Sequence, residues 1–227
     1  MNNPLNDIYT NAGCLLRFAE GCRAQERSDA LDSLLYTQLC ADKRFNRFTA
    51  TAEWSVIQSE ALHTFGWKMG GREAFSLPAS DLPKGGVCDW LRSKLPSFVS
   101  VAEFDRLWSS ASTCHRHDPA QPGWQAYAKA AMGPEQGGAN KAVLQFAFAQ
   151  AGAVLTLMSI IFTRRKPFRP DALFETLSAS DIAGNVEIAF QVRQQIEAVY
   201  GYLREGIGNG LEDRRAALTF QLQGGAL

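Results

Sequence analysis

The chain has 227 residues, 46% of them hydrophobic and 20% charged, a balance that supplies a core and excludes wholesale disorder. Lysine plus arginine number 23, as do aspartate plus glutamate, so the formal net charge is zero. A broad nucleic-acid track normally needs net positive charge on one face, so none is expected, although a zero sum leaves room for a local basic patch.

The N-terminal stretch has no basic start and no continuous apolar run before Arg17, so a conventional signal peptide is not expected. The expectation is cytoplasmic synthesis and folding, compatible with secretion that needs no signal. Leu5, Ile8, Tyr9, Ala12, Leu16 and Ala19 recur at roughly helical steps and predict a helix weakened by Gly13 and Gly21. Ser28-Asp29 predicts a cap before the stripe Leu31, Leu34, Leu35 and Leu39, with Asp29 and Asp32 favoured by the helix dipole. Thr49 and Thr51 offer caps to a further helix carrying Trp54, Ile57, Leu62 and Phe65. Trp67 to Phe75 reads as extended and interrupted by Gly70-Gly71, and 76–86 reads as loop. Ser100-Val101-Ala102-Glu103 is a capping box, followed by Phe104, Leu107, Trp108 and Ala111 on one face. Thr113 to Gln121 reads as a polar loop, Trp124 to Met132 as a short helix, and Gly133 to Asn140 as a linker.

Ala142 to Phe162 carries no charge and is followed by Arg164, Arg165 and Lys166. As a helix it would be long enough for a bilayer, which needs about 20 residues, and its basic flank fits. Leu144, Phe146 and Phe148 nevertheless alternate with Gln145, Ala147 and Ala149, and Gly152 lies midway. The expectation is a strand–turn–strand hairpin. Lys166 to Pro170 then resets direction, and Leu173, Phe174 and Leu177 predict a short strand. Asn185 is expected to cap a long helix bearing Ile188, Ala189, Val192, Ile196, Val199 and Leu203, ended by Gly206, Gly208 and Gly210. Ala216, Leu218, Phe220 and Leu222 alternate and predict a last strand, placed beside the hairpin. The resulting fold class is α+β: a single domain, 1–227, helix-rich over 1–135 and sheet-rich over 140–227. Its C-terminal antiparallel sheet is covered by a long helix.

Chemical motifs are sparse. The glycines of Gly66 to Gly71 and Gly206 to Gly210 match neither a phosphate loop nor a dinucleotide fingerprint. The five cysteines, Cys14, Cys22, Cys40, Cys88 and Cys114, contain no CxxC pair and read as reduced, mostly buried thiols. His115, His117 and Asp118 would need His63 to arrive by folding before they could hold a metal, so no metal and no cofactor is expected. Cys88 follows Gly85-Gly86-Val87. With an amide near Gly86 as oxyanion donor and His115 or His117 as base, it forms the candidate catalytic set of a cysteine-dependent hydrolase. Trp67 follows Gly66 and Trp90 lies just after the glycine-containing 76–86 loop, and both are candidate contact residues. Arg164, Arg165 and Lys166, extended by Arg169, form a basic patch suited to an acidic partner or an anionic lipid surface.

The main reading is a non-catalytic protein that binds a protein partner or an apolar small molecule. Nucleic acid is not expected as a partner, and membrane contact is possible without being favoured. The alternative is a membrane-acting, effector-like protein using 142–162; the hydrolase ranks below it. If the thiols are reduced, the purified, denatured and unreduced chain titrates with five thiols per molecule in a colorimetric assay. A count of three or one would establish disulfides.

Overall fold

The computed structural model describes residues 7–135, 139–166 and 170–224. Leu5 and the run from Pro167 to Arg169 lie outside them.

The N-terminal segment is a hairpin and not a helix. Strands β1 (Ile8–Asn11) and β2 (Cys14–Phe18) pair antiparallel across Ala12-Gly13. Ala12 adopts a positive φ of 48°, a conformation usually left to glycine, so the turn carries no obvious signature. Helix α1 (Ala24–Arg44) begins one turn before the expected cap, with Arg23 and Glu26 closing its N-terminus. Ser28-Asp29 therefore lies inside the helix. Helix α2 (Thr51–Thr64) buries Trp54 and Leu62. Strand β3 (Trp67–Pro78) is extended as expected, with a register shift between Met69 and Gly71.

Three helices follow: α3 (Val87–Arg92), α4 (Val101–His117) and α5 (Pro122–Ala131). The Ser100 hydroxyl accepts the Glu103 amide at 3.3 Å. The Glu103 carboxylate does not return to the cap; it pairs with Arg17 at 2.6 Å and with Arg106. The Cys114-to-His117 run is helix and not the expected loop.

The hairpin over 142–162 is present as β4 (Asn140–Gln150) and β5 (Val154–Arg164), paired antiparallel throughout. Its turn uses positive φ at Gly152 and Ala153. No described helix is long and apolar enough to cross a membrane. Leu173 and Leu177 do not form a strand: Pro170–Leu173 is a single 3₁₀ turn, and Leu177 bridges only Gly85. The expected long helix at Asn185 is instead β6 (Ile182–Gln195), paired with β5 on one side and β3 on the other. The helix that flanks the sheet is α6 (Glu197–Gly210), which contains Gly206 and Gly208 instead of stopping at them. Helix α7 (Glu212–Leu218) takes half of the expected last strand. Only β7 (Thr219–Gln221) remains, and it pairs with β1 at the sheet edge, not with the β4–β5 hairpin.

All seven strands form one sheet in the order β3-β6-β5-β4-β2-β1-β7. The pairing of β2 with β4 is parallel. Strand β4 is buried along most of its length. The α+β class holds, and strands from both halves of the chain share the sheet. On one face, α3, α4 and α5 cover Phe146, Phe148, Ile160 and Phe190. On the other, α1 and α2 cover Leu16, Phe18, Ala147 and Leu155.

Helices α6 and α7 are held to α1 by two carboxylates one turn apart. Asp29 receives Arg204 through Nε and Nη2, both at 2.9 Å, and Asp32 receives Arg215 at 2.7 Å twice. Glu197 also accepts from Arg204 but is largely exposed. Four glycines in α6 weaken its intrinsic helicity by up to ~1 kcal/mol each relative to alanine, so these forked pairs carry much of its attachment. Asp29→Asn is expected to cost about 2 kcal/mol, because it removes the buried partner of a guanidinium. Glu197→Gln should stay within ~0.5 kcal/mol. Urea denaturation of the two variants checks the difference.

Candidate functional site

Four neighbouring strands, β4, β5, β6 and β3, form a continuous run within the sheet. They are 11, 11, 14 and 12 residues long. All three ladders between them are antiparallel. Cross-strand partners share a face, so the register defines two surfaces of opposite character.

The face under α3, α4 and α5 carries rows such as Leu144–Ile160–Ile188–Phe75 and Phe146–Met158–Phe190–Glu73, apolar up to the exposed Glu73 on the edge strand β3. Aromatic rings seal it. Trp90 meets Phe162 edge-on at 5.7 Å. Trp108 contacts Phe146 at 5.4 Å and Phe174 at 5.8 Å. The opposite face carries Gln145–Ser159–Ala189–Ala74, Leu157–Gln191–Arg72 and Ile161–Glu187–Ser76. It is polar along much of its area. Helix α2 bridges part of it and leaves a cleft of about 930 Å³, lined by Ser55, Gln58, Ser59, Arg72, Gln145 and Gln191 among others.

Polar contacts hold α2 over the cleft, beside the apolar packing of Leu62 with Ala147 and Leu155. Gln58 and Gln145 exchange amide hydrogen bonds at 3.1 and 2.6 Å. Arg193 is buried and donates to Ser59 Oγ, Gln191 Oε1 and the Trp67 carbonyl. These acceptors are neutral. Burial, with the nearby charge of Arg72, lowers its pKa to about 10, because desolvation disfavours the charged form.

The expected site residues fall elsewhere. Trp67 and Trp90 are 1% and 2% exposed, so neither presents a contact surface. Their ring nitrogens donate to Ser33 Oγ and to the Pro83 carbonyl, which makes their burial affordable for an indole. His115 is buried, stacked on Phe174 and edge-on to Trp124, whereas His117 is exposed. Two residues apart on a helix, they point to different sides and do not converge. Among the described residues no group of three or more His, Cys, Asp or Glu is placed to hold a metal.

Cys88 lies half-buried in α3, near Asp89, Arg92 and Asp105. The amide expected as an oxyanion donor, Gly86 N–H, donates to Asp89 Oδ2 at 2.8 Å instead. The basic run is largely occupied. Arg164 is buried and lies 3.9 Å from Glu175, Arg165 donates to the Ser180 carbonyl, and Lys166 pairs with Asp181. Arg169 lies outside the described residues. The residues that sequence reasoning missed are those of β6. Their signal was present, since Val186, Ile188, Phe190 and Val192 alternate with Glu187, Ala189, Gln191 and Arg193.

No family model matches the chain, and no curated protein matches it. Among solved structures, the activated Cyt2Ba monomer from Bacillus thuringiensis subsp. israelensis superposes with a TM-score of 0.44 and 14% identity, covering 82% of this chain and 99% of that one. A delta-endotoxin superposes at 0.40 with 13% identity, covering 80% of each chain. The Evf virulence factor gives 0.32 and 8%, covering 92% of this chain and 78% of its own. Scores of this size do not establish a common fold.

Desolvation, with Asp89 second, pushes the Cys88 thiol up to about 12. A raised thiol pKa keeps the neutral form through neutral pH, so thiolate reactivity appears only as pH climbs toward that value. At pH 8 the thiolate fraction is about 10⁻⁴. Iodoacetamide should therefore modify native Cys88 at least about a hundredfold more slowly than the unfolded chain, as read by peptide mapping. Equal rates would restore Cys88 as a nucleophile.

Proposed function

We propose that this chain is a non-catalytic, membrane-acting protein whose β4–β5–β6–β3 sheet is the part that engages the bilayer. The observation that carries the reading is the combination of strand length and face character in these four strands. A tilted strand needs about 9–11 residues to cross the hydrocarbon region, and barrel strands alternate apolar and polar side chains. The four strands, 11 to 14 residues each, meet that length. Their antiparallel ladders satisfy the internal backbone groups, which lipid requires.

The apolar face carrying Phe146, Ile160 and Phe190 would turn to lipid, and the face carrying Gln145, Ser159 and Gln191 would turn to water. In the folded chain the apolar face is covered by α3, α4 and α5. Engagement therefore requires those helices to leave the sheet while the strand ladders persist. The uncharged stretch Ala142 to Phe162 within β4–β5 would supply the leading hairpin, with Lys141, Arg164, Arg165 and Lys166 remaining at the headgroup level. Such a role is compatible with synthesis inside a cell and signal-less secretion from it.

A second reading, a ligand site beneath α2, is favoured by the cleft's volume of about 930 Å³, which lies in the range of small-molecule sites, roughly 300–1,000 Å³.

Vesicles of phosphatidylcholine, with and without phosphatidylglycerol and loaded with a self-quenching dye, test the main reading. The protein is expected to release the dye. Amides of β4, β5 and β6 should stay protected from hydrogen exchange on vesicles while those of α3, α4 and α5 lose protection. Absence of both co-sedimentation and dye release at acidic and neutral pH would falsify the membrane reading and leave the cleft to be tested by ligand screening.

A further inference from the structure

The described residues include five large apolar side chains that are exposed, and three of them, Ile196, Val199 and Tyr202, fall within seven residues. Tyr202 is 91% exposed, while Ile196 and Val199 are 41% and 40% exposed. Ile196 is the N-cap of α6, and the other two lie in its first turns. At 100° per residue, Val199, Tyr202, Gly206 and Asn209 fall along one flank of that helix, and none is charged. Glu197 and Arg204 lie on the opposite flank, where Arg204 reaches Asp29, and exposed Glu205 borders Tyr202 and Asn209. Tyr200 and Ile207 point inward. The helix thus has a buried face, a flank carrying the Glu197–Arg204 pair, and an exposed flank of Val199 and Tyr202 with Glu205 at its border.

The start of α6 is tied to the β4–β5 turn. The Gln195 amide donates to the Ala153 carbonyl at 3.0 Å, and the Gln194 side chain donates to the Gly152 carbonyl at 2.5 Å. The exposed apolar flank therefore adjoins the tip of the uncharged hairpin. The hairpin's other end carries Lys141, Arg164, Arg165 and Lys166.

We infer that this end of the molecule, the α6 flank of Ile196, Val199 and Tyr202 beside the β4–β5 turn, is the surface that first meets a lipid bilayer. The inference rests on the membrane-acting reading above and adds the orientation of approach. Three arguments select lipid as the occupant. Three partly exposed side chains offer on the order of 300 Å² of apolar area, well short of the ~800 Å² per partner that a stable protein interface needs. A phenol beside two aliphatic side chains is the chemistry of the membrane–water interface, with the ring among acyl chains and the hydroxyl among headgroups. Approach by this end also presents the hairpin tip first and holds the basic end away from the hydrocarbon.

The test is co-sedimentation of the full chain with phosphatidylcholine vesicles, with and without phosphatidylglycerol. Wild type is compared with Tyr202→Asp, with the double variant Val199→Asp/Tyr202→Asp, and with Val101→Asp. Val101 is 49% exposed at the start of α4. The expected result is roughly tenfold weaker partitioning of both Tyr202 variants, with Val101→Asp binding like wild type and all melting temperatures matching. Val199 also packs on Gly66, so if the double variant melts early, Tyr202→Asp alone decides. Unchanged partitioning of Tyr202→Asp, or an equal loss in Val101→Asp, overturns the surface while the membrane reading stands. A wild-type protein that neither binds nor permeabilises vesicles overturns both.

Discussion

The parallel ladder between β2 and β4 is the constraint on which the rest of the architecture depends. It pairs Cys14 with Gln145 and Phe18 with Ala149, so it joins two hairpins separated by more than a hundred residues of chain. Parallel neighbours require a long crossover. Here the crossover is the whole set α1 to α5 with β3 inside it. Because β2 and β4 are adjacent, the helices between them must pack on the sheet. They divide, with α1 and α2 on one face and α3, α4 and α5 on the other. The ladder also makes β4 central and buried on both sides, which accounts for the apolar character of Ala142 to Phe162 without a membrane helix.

The two sheet faces differ in how they are covered. Beneath α3, α4 and α5 the contacts are aromatic and aliphatic, and each large apolar side chain removed from water contributes about 1.5–3 kcal/mol. The Arg17–Glu103 pair at 2.6 Å adds a buried polar tie between β2 and α4. Beneath α2, amides and hydroxyls hold the helix across a cleft, and Arg193 spends its guanidinium on neutral acceptors. Net hydrogen-bond contributions of about 1 kcal/mol each make that cover weaker. In the proposed membrane role, the aromatic face is the costly one to uncover, and lipid is the medium that would replace its packing. The polar face needs no such replacement, since water satisfies it.

The C-terminal helices depend on tertiary partners more than on their own sequence. Gly201, Gly206, Gly208 and Gly210 disfavour helix in α6, yet it forms because Tyr200, Ile207 and Leu211 bury a small cluster against Leu35. Asp29 and Asp32 then receive Arg204 and Arg215. The acidic residues read from sequence as dipole partners in a first turn are in fact the docking points of another helix. Their spacing of three residues places both on one side of α1.

Much of the organisation was legible in the residues themselves. The β4–β5 hairpin followed from strict alternation and Gly152, the Ser100 cap from its own chemistry, the extended Trp67 segment from its aromatic and glycine content, and the α+β class from their sum. These are local signals, decided by backbone preference and side-chain period within a few residues. Three features were decided only by tertiary structure. Ile8 to Phe18 became a hairpin because Ala12 accepts a left-handed conformation that only long-range pairing with β7 and β4 makes worthwhile. Ile182 to Gln195 satisfies both a helical and an alternating pattern, and the open edge of β5 settled it as a strand by supplying a ladder. Trp67 and His115 went inward because distant partners, Ser33 and Phe174, were there to receive them, and Trp90 did so by packing on Phe162 while its ring nitrogen met the nearby Pro83 carbonyl. The sequence by itself determined which segments could be strands, turns or helices. Packing decided which apolar face each segment used, because burial is a property of pairs of elements brought together from far apart in the chain.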